Sequence, residues 1–293
     1  MIQAKWILMA AGLALLTACS SGEDNSAATD ATDATNETEE TTSETKEESV
    51  EDSADADVAE EELNEEETTE ENADEEGETA QAEPLYRVNP ANSSVEPISD
   101  ANPQAVLITI DDAPDKQGVA MAETLKELNV PAIFFVNGHF IDTDEEEENL
   151  KKIHDMGFAI GNHTYSHPNL KTIPEDQQRE EIVSLNDRIE EIIGERPEFF
   201  RAPHGVNTDF SRALVEEEGM VLMNWTFGYD WEQQYMEAEA LADIMVNTEY
   251  LRDGANLLMH DRAWTAEALP AIVQGLGEKG YEFIDPAAIE GVE

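Results

Sequence analysis

Residues 105–112 read Ala-Val-Leu-Ile-Thr-Ile-Asp-Asp, a short apolar run rich in β-branched residues that stops on two adjacent carboxylates. A run of this length and composition predicts a buried strand. The pattern then repeats. Further strands are predicted at Ala132–Val136, Phe158–Asn162, Phe199–Ala202, Val221–Trp225, Leu257–His260 and Glu282–Ile284. Helical periodicity fills the gaps at Val119–Leu128, Glu145–Met156, Glu175–Ile193, Asp209–Glu218, Glu239–Leu251 and Ala266–Lys279. Gly157, Gly194, Gly219 and Gly280 stand just past the ends of four of these helices, where a left-handed cap is common. Strict strand–helix alternation predicts an α/β fold with a parallel sheet. Its strand count favours one small or incomplete β/α barrel domain over residues 105–289, with 84–104 as a lead-in.

Polar residues gather where these strands end. Asp111 and Asp112 follow the first, His163 the third and His204 the fourth. Asp230 trails the fifth, and His260 closes the sixth. In an α/β barrel the carboxyl ends of the strands share one face, where sites are built. The densest signal is His163-Thr-Tyr-Ser-His167. On a helical turn, residues four apart share a face, so both imidazoles could reach one metal ion. A metal that activates water usually takes three protein ligands, and the Asp111-Asp112 pair supplies the obvious third. Thr164 stands where a zincin carries its glutamate, so a general base must come from elsewhere in the chain.

The amino terminus is a different material. Lys5, the apolar run Trp6–Leu16 and then Leu16-Thr-Ala-Cys19 read as an export signal over residues 1–19, too short for a comfortable membrane span. Cys19 before Ser20-Ser-Gly22 resembles the lipobox of bacterial lipoproteins. That resemblance implies lipidation of Cys19 and a membrane anchor outside the cytoplasm. Cys19 is the only cysteine, so no intramolecular disulfide can form. Residues 20–83 carry 27 acidic side chains against the single Lys46, with little apolar surface to offset ordering entropy. They are expected to form a disordered acidic tether.

From Pro84 onward, 41 acidic residues still face 14 basic ones, a balance of −27. Such a surface repels phosphates and excludes nucleic acid as a partner. It fits either a cationic polymer or adaptation to salt. The run Asp142–Glu148 reads as a solvated helix start, with acids at the positive end of the dipole.

Five segments together resemble a known family. Thr109-Ile-Asp111-Asp112-Ala-Pro114, His163-Thr-Tyr-Ser-His167, Arg201-Ala-Pro-His-Gly205, Asp230-Trp231 and Leu258-Met-His260 are similar, in order, to the motifs of polysaccharide deacetylases. These are the NodB-homology enzymes of carbohydrate esterase family 4. The resemblance implies a distorted, incomplete (β/α)7–8 barrel holding a divalent metal, commonly zinc, with cobalt or manganese as alternatives. It makes Asp112, His163 and His167 the metal ligands, Asp111 the general base and His260 the general acid. Arg201 would pair with the base and Asp230 would orient the acid. Trp231 and Leu258 would line the pocket for the acetyl methyl, with a backbone N–H near His204 on the oxyanion.

Two positions depart from the family pattern. Ala113 replaces a usual glycine, which is tolerable if its φ is negative. His204 replaces a usual tyrosine, which puts substrate choice in question. The function implied is removal of N-acetyl groups from an amino-sugar polymer such as peptidoglycan or poly-N-acetylglucosamine, by a monomer. O-deacetylation of xylan and glycan binding without turnover are the competing readings. Taken singly, the motif residues have ordinary readings as turns, ion pairs or buried histidines. Outside the motifs, His139 and His154 are expected to be structural or on the surface, Trp225 in the core, and Trp264 in the core or at the rim.

Overall fold

The structure, a computed structural model, describes residues 83–292. The export signal, Cys19 and all but the last residue of the acidic stretch lie outside the described residues.

The lead-in forms an antiparallel hairpin, β1 (Tyr86–Val88) and β2 (Val95–Pro97). Strands and helices then alternate: β3 (Ala105–Ala113), α1 (Gly118–Leu128), β4 (Ala132–Val136), α2 (Asp144–Asp155), β5 (Ala159–Asn162), α3 (Glu175–Ile193), β6 (Phe199–Phe200), α4 (Asp209–Glu217), β7 (Val221–Leu222), α5 (Ala238–Asn247), β8 (Ala255–His260), α6 (Ala263–Glu278) and β9 (Glu282–Phe283). The sheet runs β7-β6-β5-β4-β3-β8 with every pairing parallel, and β9 adds to the start of β3. It curls into an incomplete barrel, as the alternation predicts. Between the two ends of that path, the single bridge Phe227–Leu257 leads toward closure. All four helix-terminal glycines take positive φ. At α2, Thr143 and Glu146 cap each other's backbone, and the acids of Asp144–Glu147 occupy the first turn.

Side-chain alternation along the strands separates two larger cores, and a third, smaller one packs Phe200 with Leu170, Ile182 and Leu214. Val106, Ile108 and Ile110 of β3 face the helices, with Phe134 and Val136 of β4 and Leu257 and Met259 of β8. Leu107, Ile133, Phe135, Phe199 and Met223 fill the barrel interior. A fully buried Phe or Leu contributes about 1.5–3 kcal/mol. By the same alternation, Thr109 and Asp111 lie on the interior side with Leu107, and Asn256, Leu258 and His260 follow on β8. The interior is therefore apolar where strands begin and polar where they end.

The hairpin seals the apolar end. Tyr86 and Val95 join the interior core with Ile284 and Ile289. Hydrogen bonds tie Glu290 N–H to Tyr86 O (2.7 Å) and Val95 N–H to Gly254 O (2.8 Å). Gly254, at φ 72°, lies so near Val95 O that a Cβ there would collide with it. β5 and β9 are each one residue shorter than the sequence predicts, and two strands fall further short. β6 stops at Phe200 because the chain turns through Pro203–Gly205, and β7 stops at Leu222 near the open edge.

Candidate active site

Consecutive strand residues normally point to opposite faces, yet Asp111 and Asp112 line one cavity. The register between β3 and β4 shifts between Ile110 and Ala113, and Asp112 takes φ 60°. This bulge breaks the alternation and turns both carboxylates inward. The left-handed residue is Asp112. Ala113 is not among the positive-φ residues, so its methyl meets the condition under which it is tolerated.

The cavity, about 340 Å³, is lined by Asp111, Asp112, His163, His167, His204, Trp225, Trp231, Leu258 and His260. One oxygen of Asp112 lies 3.9 Å from His163 Nε2 and 3.6 Å from His167 Nε2. One donor atom from each of the three residues falls within 4.8 Å of the others. Two ligands about 2.1 Å from a zinc ion at tetrahedral angles would stand about 3.4 Å apart, so the set fits a divalent cation with small adjustments. The donor set of two imidazoles and one carboxylate suits such an ion.

The His163–His167 segment corrects one expectation. It is a loop, with Thr164 at φ 66° and His167 at φ 59°, and no helical turn forms. Buried amides hold the loop in place of helical hydrogen bonds. Asn162 Oδ1 accepts from Thr164 N–H (2.8 Å), and its Nδ2 donates to Ile182 O and Asn186. Asn137 Nδ2 donates to the carbonyls of His163 (2.6 Å) and Thr164 (3.0 Å). His163 Nδ1 meets the Arg201 carbonyl at 2.7 Å, an acceptor that places the proton on Nδ1 and leaves Nε2 for a metal. Burial lowers the pKa of His163. It also lowers His167, to about 4, helped by the neighbouring His163. Both imidazoles are thus neutral at neutral pH, the form that binds metal.

Burial alone would raise the pKa of Asp112. Attraction from His163, His260 and His167 when protonated, and from Arg262, outweighs it, and the net direction is downward. Arg262 is the permanent charge among these. It donates to the second Asp112 oxygen at 2.7 Å, so only one oxygen is turned toward the histidines.

Two further groups sit behind the cavity wall. Arg201, wholly buried, donates to Asp111 (2.6 Å), Thr109 Oγ1 (2.8 Å) and the Asn224 carbonyl (2.8 Å). Its guanidinium lies 4.2 Å from the Phe135 ring centroid. Burial pushes its pKa down, and Asp111 opposes that. The pair matches an Arg201–Asp111 partnership. Asp230 is buried too. One oxygen meets His260 Nδ1 at 2.7 Å, and the other accepts the His260 N–H (2.6 Å) and Thr265 Oγ1 (2.8 Å). Burial disfavours a charged His260, but the hydrogen bond and charge of Asp230 prevail, and its pKa is raised.

Every expected site residue in the described part therefore converges. Asp111, Asp112, His163, His167, His204, Trp231, Leu258 and His260 line the cavity, while Arg201 and Asp230 support it. Trp225 is a correction: expected in the core, it is only half-buried and forms part of the wall. β7 ends before it, so strand alternation does not carry it inward. Arg262 carries no sequence signal of its role, because it follows His260-Asp261 outside any motif. His154 pairs with Glu195 at 3.3 Å beside a larger cavity, about 690 Å³, at the amino ends of β4 and β5. That cavity holds none of the metal-donor set, and we place the chemistry in the smaller one.

The geometry has counterparts in known proteins. A family model described as polysaccharide deacetylase matches residues 99–223. A peptidoglycan-N-acetylglucosamine deacetylase of Bacillus cereus is 31% identical over 184 residues, covering 60% of this chain and 67% of that protein. The chain belongs to the polysaccharide deacetylase family. This is a family of hydrolases. Another relative, the peptidoglycan-N-acetylmuramic acid deacetylase PdaA of Bacillus subtilis, is 30% identical over 165 residues, with 55% of this chain and 61% of that protein covered. Among solved structures, a mutant of a CE4 family pseudoenzyme with restored enzymatic activity has a TM-score of 0.57 and 31% identity, covering 64% of this chain and 68% of that one. That family fold can thus carry a pseudoenzyme, so the side chains at the site decide the chemistry.

Proposed function

We propose that this polysaccharide deacetylase is a metal-dependent, in practice zinc-dependent, hydrolase that removes N-acetyl groups from an amino-sugar polymer of the cell envelope. Peptidoglycan is the first candidate, because the relatives above are named for it. One observation carries the reading: Asp111 and His260 line the same 340 Å³ cavity as the Asp112, His163 and His167 donor set. Residues suited to act as base, acid and cation ligands share this cavity, which favours turnover over a binding module without it.

Asp112, His163 and His167 would hold the ion, which when bound polarises the acetyl carbonyl and makes water more acidic. Asp111, aimed by Arg201, takes the proton from the attacking water. His260 has Nδ1 engaged by Asp230, so Nε2 is the nitrogen available to the cavity. The raised pKa favours the protonated ring, the form that can donate to the departing sugar nitrogen. Trp231 and Leu258 exclude water around the acetyl methyl, and His204 contacts the sugar. Lipidation of Cys19 would anchor the enzyme, acting as a monomer, at the outer face of the membrane. Cys19→Ala should then move it from the membrane to the soluble fraction.

Asp111→Asn tests the chemical assignment. Acetate release should vanish while metal content stays that of the wild type. Persistent acetate release would remove Asp111 from the role of base.

A further inference from the structure

We propose that Glu181 is a positioning residue for His167, acting through Ser166. This rests on the metal-site reading above. The two histidines are held in different ways. His163 is fixed at the ring by the Arg201 carbonyl. Among the described residues, no hydrogen bond holds the His167 ring. Its ring neighbours are His163 and His204, each edge-on with centroids 4.9 Å away, and Asp112, 3.6 Å from Nε2 and beyond hydrogen-bond reach. The direction of His167 therefore depends chiefly on its backbone, which sits at φ 59°. An L residue seldom holds that conformation unless its surroundings enforce it.

Glu181, on α3, supplies the enforcement. Its two carboxylate oxygens accept from the Ser166 N–H (2.7 Å) and the Ser166 Oγ–H (2.5 Å). Its backbone carbonyl accepts from Tyr165 N–H at 3.0 Å. Three hydrogen bonds from one residue thus clamp the two positions immediately before His167. An ionised carboxylate is a strong acceptor for both donors. Groups that orient a metal ligand set affinity even without touching the ion, and losing one typically costs 10–100-fold.

The test is cobalt affinity, measured by competition with a chromophoric chelator on wild-type, Glu181→Ala, Glu181→Gln and Ser166→Ala proteins. The unfolding midpoint of each metal-free protein is followed in parallel. Glu181→Ala should bind cobalt about 10–100-fold more weakly, with an altered visible spectrum and an almost unchanged metal-free midpoint. Glu181→Gln and Ser166→Ala, which each keep part of the clamp, should fall between. Saturating metal should restore most of kcat. Wild-type affinity in Glu181→Ala, or a loss that only tracks unfolding of the metal-free protein, overturns the positioning role. Wild-type protein that binds no cobalt overturns the metal-site reading and this inference together.

Discussion

Asp230 holds His260 at two points, with one oxygen 2.7 Å from the ring Nδ1 and the other 2.6 Å from the backbone N–H. A single buried carboxylate thereby fixes the ring, selects which nitrogen faces the cavity and favours the imidazolium. A general acid must be protonated to act, so activity should fall as pH rises through the raised pKa of His260.

Asp230→Asn removes that charge. The pKa of His260 should drop, and the alkaline limb of the kcat/KM profile should move to lower pH, with kcat reduced about 10²–10⁴-fold. An alkaline limb in its original place would show that His260 is not the acid the profile reports.

The leaving group provides a second check on His260. An amide nitrogen leaves poorly until protonated, whereas an ester oxygen needs less help. His260→Ala should therefore cut acetate release from N-acetylated chitin oligosaccharides far more than from an acetylated ester. Equal losses on both substrates would contradict a proton-donating role.

Arg201 and Asp111 are both buried and face each other at 2.6 Å. Arg201→Met leaves Asp111 without its partner, at a cost of about 3–5 kcal/mol in stability. The denaturant midpoint measures this. A variant as stable as wild type would mean the pair is not what anchors the interior.

Gly161 lies against Phe135, where an added Cβ would come within 2.5 Å of the ring. Phe135 in turn covers Arg201. Gly161→Ala should cost about 1–3 kcal/mol through overpacking and lower kcat by tilting the ring that supports Arg201. Full stability and activity would mean the interior yields more easily than its packing suggests.

Much of this was legible in the sequence because it is local. The strands from β3 to β9 are short apolar runs, and the helices between them are periodic. Strand ends such as Asp111 and His260 mark the site directly. What escaped depends on features without a local signal. The β1–β2 hairpin has only three residues per strand and gains its order from Gly254 and Glu290, far along the chain. The bulge that turns Asp112 inward leaves no trace in hydropathy. The four-residue spacing of His163 and His167 suggests a helical turn, but Asn137, Asn162 and Glu181 build a loop that brings them together instead. Arg262 reaches Asp112 only because β3 and β8 are neighbours.

The most direct measurement is acetate release from peptidoglycan, poly-N-acetylglucosamine, chitin oligosaccharides and acetylxylan, before and after chelation and again after zinc is restored. The account predicts release from an N-acetylated glycan, its loss on chelation and its return with zinc. Release that survives complete chelation, or none from any N-acetylated glycan with zinc present, would contradict it.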